Sequence, residues 1–125
     1  MAVNNSDFFN FAKDCYERND EIGFRNVISR AYYAAYHNSL VNTDMPRRKC
    51  NHHIGLIQHI AGQGRENQGY QEISRLLRVM RNARNDADYK LGITVTKNMA
   101  SQNLKHYRLI DELWLRVRSG ERSTK

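Results

Sequence analysis

Apolar residues recur along this chain at the spacing of amphipathic helices, without the strict alternation of half-buried strands. The first such segment has Ser6 as its predicted N-cap, and Thr96 is the predicted N-cap of the last. The predicted helices after the first span about 21–41, 52–61, 70–88 and 97–119. The predicted apolar positions are Phe8, Phe11, Ala12, Cys15, Phe24, Val27, Ile28, Ala31, Ala34, Ala35, Ile73, Leu76, Leu77, Met80, Ala83, Ala87, Ala100, Tyr107, Ile110, Trp114 and Val117.

Short polar connections separate these helices. The single proline, Pro46, lies in a loop predicted over 42–51, and Gly62-Gln63-Gly64 ends the third helix. Gly92 is the predicted stop of the fourth helix, while residues 93–95 are too few to form more than a connector. The pattern predicts an all-α, compact bundle of four or five helices. We expect one domain over residues 1–125, with its core at about 6–118 and a flexible tail at 119–125.

The charge of the chain favours acidic partners, including nucleic acid, since 20 Lys and Arg against 13 Asp and Glu leave a net charge of +7. No apolar run is long enough to span a membrane, and the N-terminus lacks the pattern of a signal peptide. We therefore expect a cytoplasmic protein. Cys15 and Cys50 have no paired Cys/His spacing, and no Gly-rich phosphate loop is present, so neither a metal nor a cofactor is predicted.

The fourth helix carries a basic row, because Arg75, Arg78, Arg81 and Arg84 recur every three residues. Such a row could follow a phosphate backbone. The alternative is a solvated helix face whose arginines pair with nearby carboxylates. For Arg75 and Arg78 both interpretations stay open.

The end of the fourth helix concentrates polar side chains. Arg84 and Asp88 are four residues apart, as are Arg81 and Asn85, so each pair is adjacent on the helix surface. Asn and Asp are poor helix formers, and their use here is typical of a functional or interface site. Residues 81–89 are the predicted functional centre, with Arg78, Arg81 and Asp88 as the predicted binding residues.

Three tyrosines on the second helix, Tyr32, Tyr33 and Tyr36, cannot all face one core. We predict that they form a dimer contact, because aromatic side chains are favoured at interfaces. Ordinary core packing and stacking on bases are the alternatives.

Three segments in order resemble the HEPN family. Residues 29–37, Ser-Arg-Ala-Tyr-Tyr-Ala-Ala-Tyr-His, are similar to its aromatic-rich second helix, and 53–57, His-Ile-Gly-Leu-Ile, to its third. Residues 84–89, Arg-Asn-Asp-Ala-Asp-Tyr, resemble the R-x-x-A-D-Y ending of small prokaryotic members, and Thr96 onward matches the closing helix. The resemblance covers roughly residues 6 to 117.

This resemblance implies a helical bundle that dimerises and, in many members, a metal-independent endoribonuclease whose motif is Arg, a polar residue and, further on, His. Arg84 and Asn85 match its start, but Tyr89 stands where the histidine would be. Tyrosine is a poor general base at neutral pH, since its ordinary pKa is about 10. The residues assigned to catalysis by resemblance are therefore Arg84, Asn85 and Tyr89.

A replacement for the missing histidine could come from elsewhere in the chain. Arg30 and His37 also satisfy the motif spacing, although on the second helix, where their tyrosine-rich surroundings favour a structural role. The sequence does not distinguish among the histidines as substitutes for the motif base. They are His37, His52, His53, His59 and His106.

Three functional hypotheses follow. The first is an RNA-targeting toxin or anti-phage defence effector that acts as a dimeric endoribonuclease. The second is a non-catalytic HEPN module that binds nucleotide, nucleic acid or a partner protein, such as a nucleotidyltransferase antitoxin or a larger defence complex. The third is a structural adaptor in which Arg84 and Asp88 form an ion-paired network that stabilises a dimer.

Overall fold

A computed structural model describes residues 3–43, 53–63 and 67–119. The described residues form five α-helices and no strand, which confirms the predicted all-α bundle. The helices are α1 (Asn5–Glu17), α2 (Glu21–Asn42), α3 (His53–Gln63), α4 (Gln68–Tyr89) and α5 (Lys97–Arg118).

Helix α2 lies at the centre of the bundle and contacts α1, α4 and α5. Helix α1 runs antiparallel to it, because Phe8 stacks on His37 near one end and Tyr16 meets Phe24 near the other. Helix α4 is also antiparallel to α2, and α5 is parallel to it. Helix α3 packs mainly against α4. This arrangement places the C-terminal half of α4 beside the first half of α2.

The core is apolar and contains few polar groups, and the largest fully buried side chains are Trp114 and Tyr32. The indole of Trp114 donates a hydrogen bond of 3.0 Å to the hydroxyl of Ser39. This bond satisfies two buried polar groups where α5 crosses α2. All but four of the predicted apolar positions are buried. Phe8, Ala83 and Val117 are half-buried, and Phe11 is exposed.

The start of α1 differs from the prediction. Asn4, and not Ser6, is the N-cap: its side chain accepts from the backbone N–H of Asp7, whose carboxylate accepts in return from the N–H of Asn4. Phe11, predicted to be buried, is 53% exposed, and the inward position is taken by Phe9. Thr96 caps α5 as predicted.

Helix α4 ends without the predicted glycine stop, because Gly92 has no left-handed backbone conformation. The buried guanidinium of Arg25 on α2 ends it instead, donating hydrogen bonds to the carbonyls of Ala87 (2.9 Å) and Lys90 (3.2 Å). It also donates to the carbonyls of Leu91 and Ile93. One side chain thereby satisfies carbonyls that a helix end leaves without partners.

Some predictions concern residues outside the described ranges. They are Pro46, Cys50, most of the 42–51 loop, His52, Gly64 and the tail beyond Ser119. Within the described ranges, none of the helices combines the length and the apolar character that crossing a membrane requires.

Candidate functional site

The basic row on α4 divides into two parts. Arg75 is exposed and forms an ion pair of 2.6 Å with Glu72, as the alternative of a solvated face predicts. Arg78 is also exposed and has no ion pair with any residue that the structure describes. Arg81 and Arg84 are half-buried. Of the four arginines in the row, only Arg81 and Arg84 are partly covered by the rest of the bundle, where α4 lies beside α2.

Arg84 is held between aromatic rings and a carboxylate. Its guanidinium carbon lies 5.9 Å from the ring centre of Tyr33 and 5.6 Å from that of Tyr89. Its Nε atom is 2.9 Å from Oδ2 of Asp88, but the N–H does not point at that oxygen, so the contact is an ion pair without a hydrogen bond. Nη1 donates weakly to Asn85 at 3.4 Å. The side chain of Arg84 is 18% exposed.

A second guanidinium reaches the same aromatic ring from α2. The guanidinium carbon of Arg30 lies 4.6 Å from the ring centre of Tyr33. Its Nη2 donates to the hydroxyl of Ser29 (3.1 Å), which donates to Asp88 (3.3 Å). Its Nε is buried and, among the described residues, has no hydrogen-bond acceptor. Arg30 and Arg84 therefore share the ring of Tyr33, whereas Asp88 pairs directly with Arg84 and reaches Arg30 only through the hydroxyl of Ser29. With Arg81, the three arginines exceed this one carboxylate in charge.

His53, the first residue of α3, lies against this basic group. Its ring stacks on Tyr36 with centroids 4.1 Å apart, and its Nδ1 is 2.6 Å from the hydroxyl of Tyr32. Burial lowers the pKa of His53, and the positive charges of Arg84 and Arg81 lower it further. The imidazole is therefore neutral at neutral pH. Because Nδ1 is engaged with Tyr32, Nε2 is the nitrogen left to contact other groups.

His37 completes the group on α2. Its ring stacks on Phe8 of α1 (centroids 5.4 Å apart) and on Tyr33 (5.8 Å). Burial lowers the pKa of His37, so this imidazole is also neutral at neutral pH. We call the half-buried side chains gathered here the basic-aromatic cluster. Its members are Arg30, Tyr33, His37, His53, Arg81 and Arg84.

The residues predicted from the sequence are distributed unequally around this cluster. Arg81 and Arg84 belong to it, and Asn85 and Asp88 contact Arg84. Tyr89 is 70% exposed and touches the cluster only through Arg84. The exposed Arg78 forms no described contact with it.

The three tyrosines predicted to form a dimer contact differ in their burial. Tyr32 and Tyr36 are buried inside the single chain, 0% and 7% exposed, so they present almost no surface to a partner. Tyr33 is half-buried and is the tyrosine of the three that solvent or a ligand can reach. The prediction that not all three face one core is confirmed.

His37 and His53 were two of the five histidines that the sequence offered, without distinguishing among them, as replacements for the motif base. His53 is 31 positions before Arg84, so no local spacing connects them. The only available signal was the Arg30–His37 spacing, which places both side chains on one face of α2, and the structure bears this out because both contact Tyr33. His106 lies elsewhere, near Glu72 and Arg75, and His59 is half-buried on α3.

Chemically, this arrangement combines proton acceptors with fixed positive charge. Neutral imidazoles can accept a proton, and guanidinium groups stabilise anionic oxygens. Within the described ranges, no group of three or more His, Cys, Asp or Glu residues is placed to hold a metal ion. Comparison of the chain with protein-family models, curated proteins and solved structures gives no significant match.

Proposed function

We propose that this chain is a HEPN-type, RNA-targeting domain that cleaves RNA without a metal ion and uses His53 in place of the histidine missing at position 89. The observation that carries the proposal is that two neutral histidines lie in one cluster with the arginines. His37 stacks on the Tyr33 ring that the Arg84 guanidinium also contacts, and the charges of Arg84 and Arg81 lower the pKa of His53. A neutral base and a fixed cation are the two groups that attack by a ribose 2′-hydroxyl requires.

The proposed reaction uses the tautomer of His53 that carries its proton on Nδ1, the atom 2.6 Å from the hydroxyl of Tyr32. In this tautomer Nε2 accepts the proton of the 2′-hydroxyl. The 2′-oxygen forms a bond to phosphorus and the bond from phosphorus to the 5′-oxygen breaks. The leaving 5′-oxygen takes up a proton from solvent water and His53 returns its own proton to solvent, so that the products are a 2′,3′-cyclic phosphate and a 5′-hydroxyl. Arg84 and Arg81 stabilise the negative charge that develops on the phosphate oxygens.

The remaining residues of the segment have supporting roles in this proposal. The exposed ring of Tyr89 can stack on a base. Asn85 orients Arg84 through its side-chain oxygen. A homodimer in which the half-buried Tyr33 of each copy borders the site would bring two clusters to one RNA, in keeping with a cytoplasmic toxin or anti-phage effector.

The ion pair between Arg84 and Asp88 favours a second candidate, a non-catalytic module. A carboxylate 2.9 Å from Arg84 already neutralises part of the charge that would act on a scissile phosphate. Such a module would bind nucleotide or nucleic acid, or a protein partner such as a nucleotidyltransferase-type antitoxin or a defence complex. Binding without cleavage is its distinguishing property.

The experiment incubates the purified protein with mixed RNA in the presence of EDTA. We expect cleavage by the wild-type chain, a loss of about 100-fold or more in His53→Gln and Arg84→Ala, and near wild-type activity in His106→Gln. A substrate with 2′-deoxyribose should resist. Thermal unfolding of each variant checks that the fold is retained. Wild-type binding without cleavage would reject the nuclease in favour of the module.

A further inference from the structure

A second basic surface lies on the other side of α1, where this helix packs against α5. The two helices leave a groove of about 270 Å³. Its lining residues are Lys13, Tyr16, Glu17, Ser101, Leu104, Lys105 and Arg108. We refer to it as the α1/α5 groove.

Four cations border this groove, since Lys97 lies near its Tyr16 wall in addition to Lys13, Lys105 and Arg108. Of the described residues that line the groove, Glu17 alone is acidic. The groove therefore carries a local charge of about +3 at neutral pH, taking each side chain in its ordinary state. That is a large share of the net charge of +7 for the chain.

Aromatic rings hold three of these cations in place. The Lys13 ammonium and the Arg108 guanidinium lie 5.2 Å and 5.3 Å from the ring centre of Phe9. The Lys97 ammonium lies 5.3 Å from that of Tyr16. Contacts of this kind restrain long side chains that would otherwise lose conformational entropy on binding.

The groove cations also lack carboxylate partners in the part of the chain that the structure describes. None of the four forms an ion pair with a described residue, whereas exposed cations elsewhere, such as Arg18 with Asp20 and Lys90 with Asp86, do. A cation without a carboxylate partner can bind an external anion without first breaking an internal ion pair. This combination of positive charge, concave shape and aromatic support fits a chain of phosphates.

We propose that the α1/α5 groove binds the phosphate backbone of single-stranded RNA and holds the strand that the basic-aromatic cluster acts on. The inference rests on the proposed function for the identity of the nucleic acid. Single strands are bound in this way by positively charged grooves with aromatic side chains. The contacts predicted here are to phosphates, so they carry no sequence preference.

Helix α1 connects the two surfaces. Phe8 stacks on His37 and Tyr33 of the cluster, whereas its neighbour Phe9 lies under Lys13 and Arg108 of the groove. Successive helical residues are rotated by about 100°, so the surfaces lie on different sides of a cylinder about 10–12 Å wide. A strand that crosses α1 could contact both.

The test compares two double variants on the same helix. Lys105→Gln/Arg108→Gln removes two groove cations, and Arg116→Gln/Arg118→Gln removes two exposed cations from the last turn of α5. Affinity for a short fluorescein-labelled single-stranded RNA is measured by anisotropy at several salt concentrations. We expect the groove variant to bind several-fold more weakly. Its affinity should also depend less on salt: the negative slope of log affinity against log salt should become shallower by about 1.4.

A variant with the opposite effect strengthens the test. Glu17→Gln removes the one acid of the lining and should increase affinity for the same RNA several-fold, without altering the charge of any cation. The control variant in the last turn should keep most of the wild-type affinity. A groove variant with the affinity and salt slope of its control would overturn the proposal.

The two proposals fail in different ways. If the wild-type chain binds RNA through the groove but does not cleave it, the nuclease is rejected and the groove stands. If RNA is cleaved while Lys105→Gln/Arg108→Gln and Glu17→Gln both bind and cleave like the wild type, the groove is rejected and the nuclease stands. Arg84→Ala, measured in both assays, separates cleavage at the cluster from binding at the groove.

Discussion

The Nδ1 atom of His53 and the hydroxyl of Tyr32 share a hydrogen bond of 2.6 Å, which joins the first turn of α3 to the middle of α2. Burial raises the pKa of Tyr32 well above its ordinary value, so the phenol keeps its proton at any physiological pH. The bond therefore orients the imidazole and does not transfer charge to it. Its effect on function is positional.

Replacing Tyr32 with Phe tests that positional role. We expect Tyr32→Phe to lower the free energy of unfolding by about 1 kcal/mol, the usual contribution of one hydrogen bond. RNA cleavage should fall about tenfold or more, because the ring of His53 loses its orientation. Urea denaturation and cleavage in EDTA measure the two effects. Tyr70→Phe, at a half-buried tyrosine of α4 that belongs to neither surface and whose hydroxyl has no hydrogen bond to a described residue, is the matched control. Equal activity in both variants would exclude the positional role.

The ion pair between Arg84 and Asp88 leads to a prediction of opposite sign. In Asp88→Asn the guanidinium of Arg84 is released from its carboxylate, and the local charge rises by one. We expect affinity for RNA to increase several-fold at low salt and the increase to shrink as salt screens the charges. Anisotropy at two salt concentrations measures it.

The same variant distinguishes the hypothesis of a structural adaptor. If the Arg84–Asp88 network serves to stabilise a dimer, Asp88→Asn should weaken self-association in sedimentation experiments and leave RNA affinity unchanged. Asp86→Asn is the matched control, because Asp86 pairs with Lys90 at the exposed end of the same helix.

The histidines predict how stability depends on pH. Burial lowers the pKa values of His37, His53 and His106, so the unfolded chain binds protons more readily than the folded one. Stability is therefore complete above about pH 6.5 and is lost as the pH falls toward the lower pKa values of the folded state. The carboxylates with lowered pKa values, Asp20, Glu21 and Glu72, act only in a more acidic range.

Urea denaturation between pH 7.5 and pH 5 measures this dependence. The double variant His37→Gln/His53→Gln should show a weaker decline with falling pH than the wild type, with the remainder due to His106. Identical slopes for the two proteins would contradict the assignment of this dependence to the cluster.

The helices could be predicted from the sequence because their buried residues recur at the spacing of a helix. Helix α2 shows this pattern least clearly, because it contacts three other helices and is buried around most of its circumference. Local errors arose where neighbouring residues compete for one role. Asn4 and Ser6 are both good caps, and the hydroxyl of Ser6 donates to the side chain of Asn4. Phe9 and Phe11 compete for one inward position, which the packing against Tyr107 of α5 decides in favour of Phe9.

The candidate site was predictable only as far as it is local. On α4, the spacing of four residues predicts the contact between Arg84 and Asp88. On α2, the same spacing predicts that Tyr32 and Tyr36 are neighbours, as they are in the structure. The position of His53 depends on how α3 packs against the other helices. No sequence period encodes that packing.

Arg25 provides the last prediction, because its buried guanidinium ends α4 and fastens the turn that follows. Arg25→Ala leaves several carbonyls without donors, and we expect the free energy of unfolding to fall by about 3 kcal/mol. Arg25→Lys should recover only part of this loss, since one ammonium group cannot donate to all four carbonyls that the guanidinium contacts between residues 87 and 93. Arg75→Ala, which breaks an exposed ion pair, should cost less than about 1 kcal/mol. Urea denaturation measures all three, and equal losses in Arg25→Ala and Arg75→Ala would show that Arg25 does not hold the helix end.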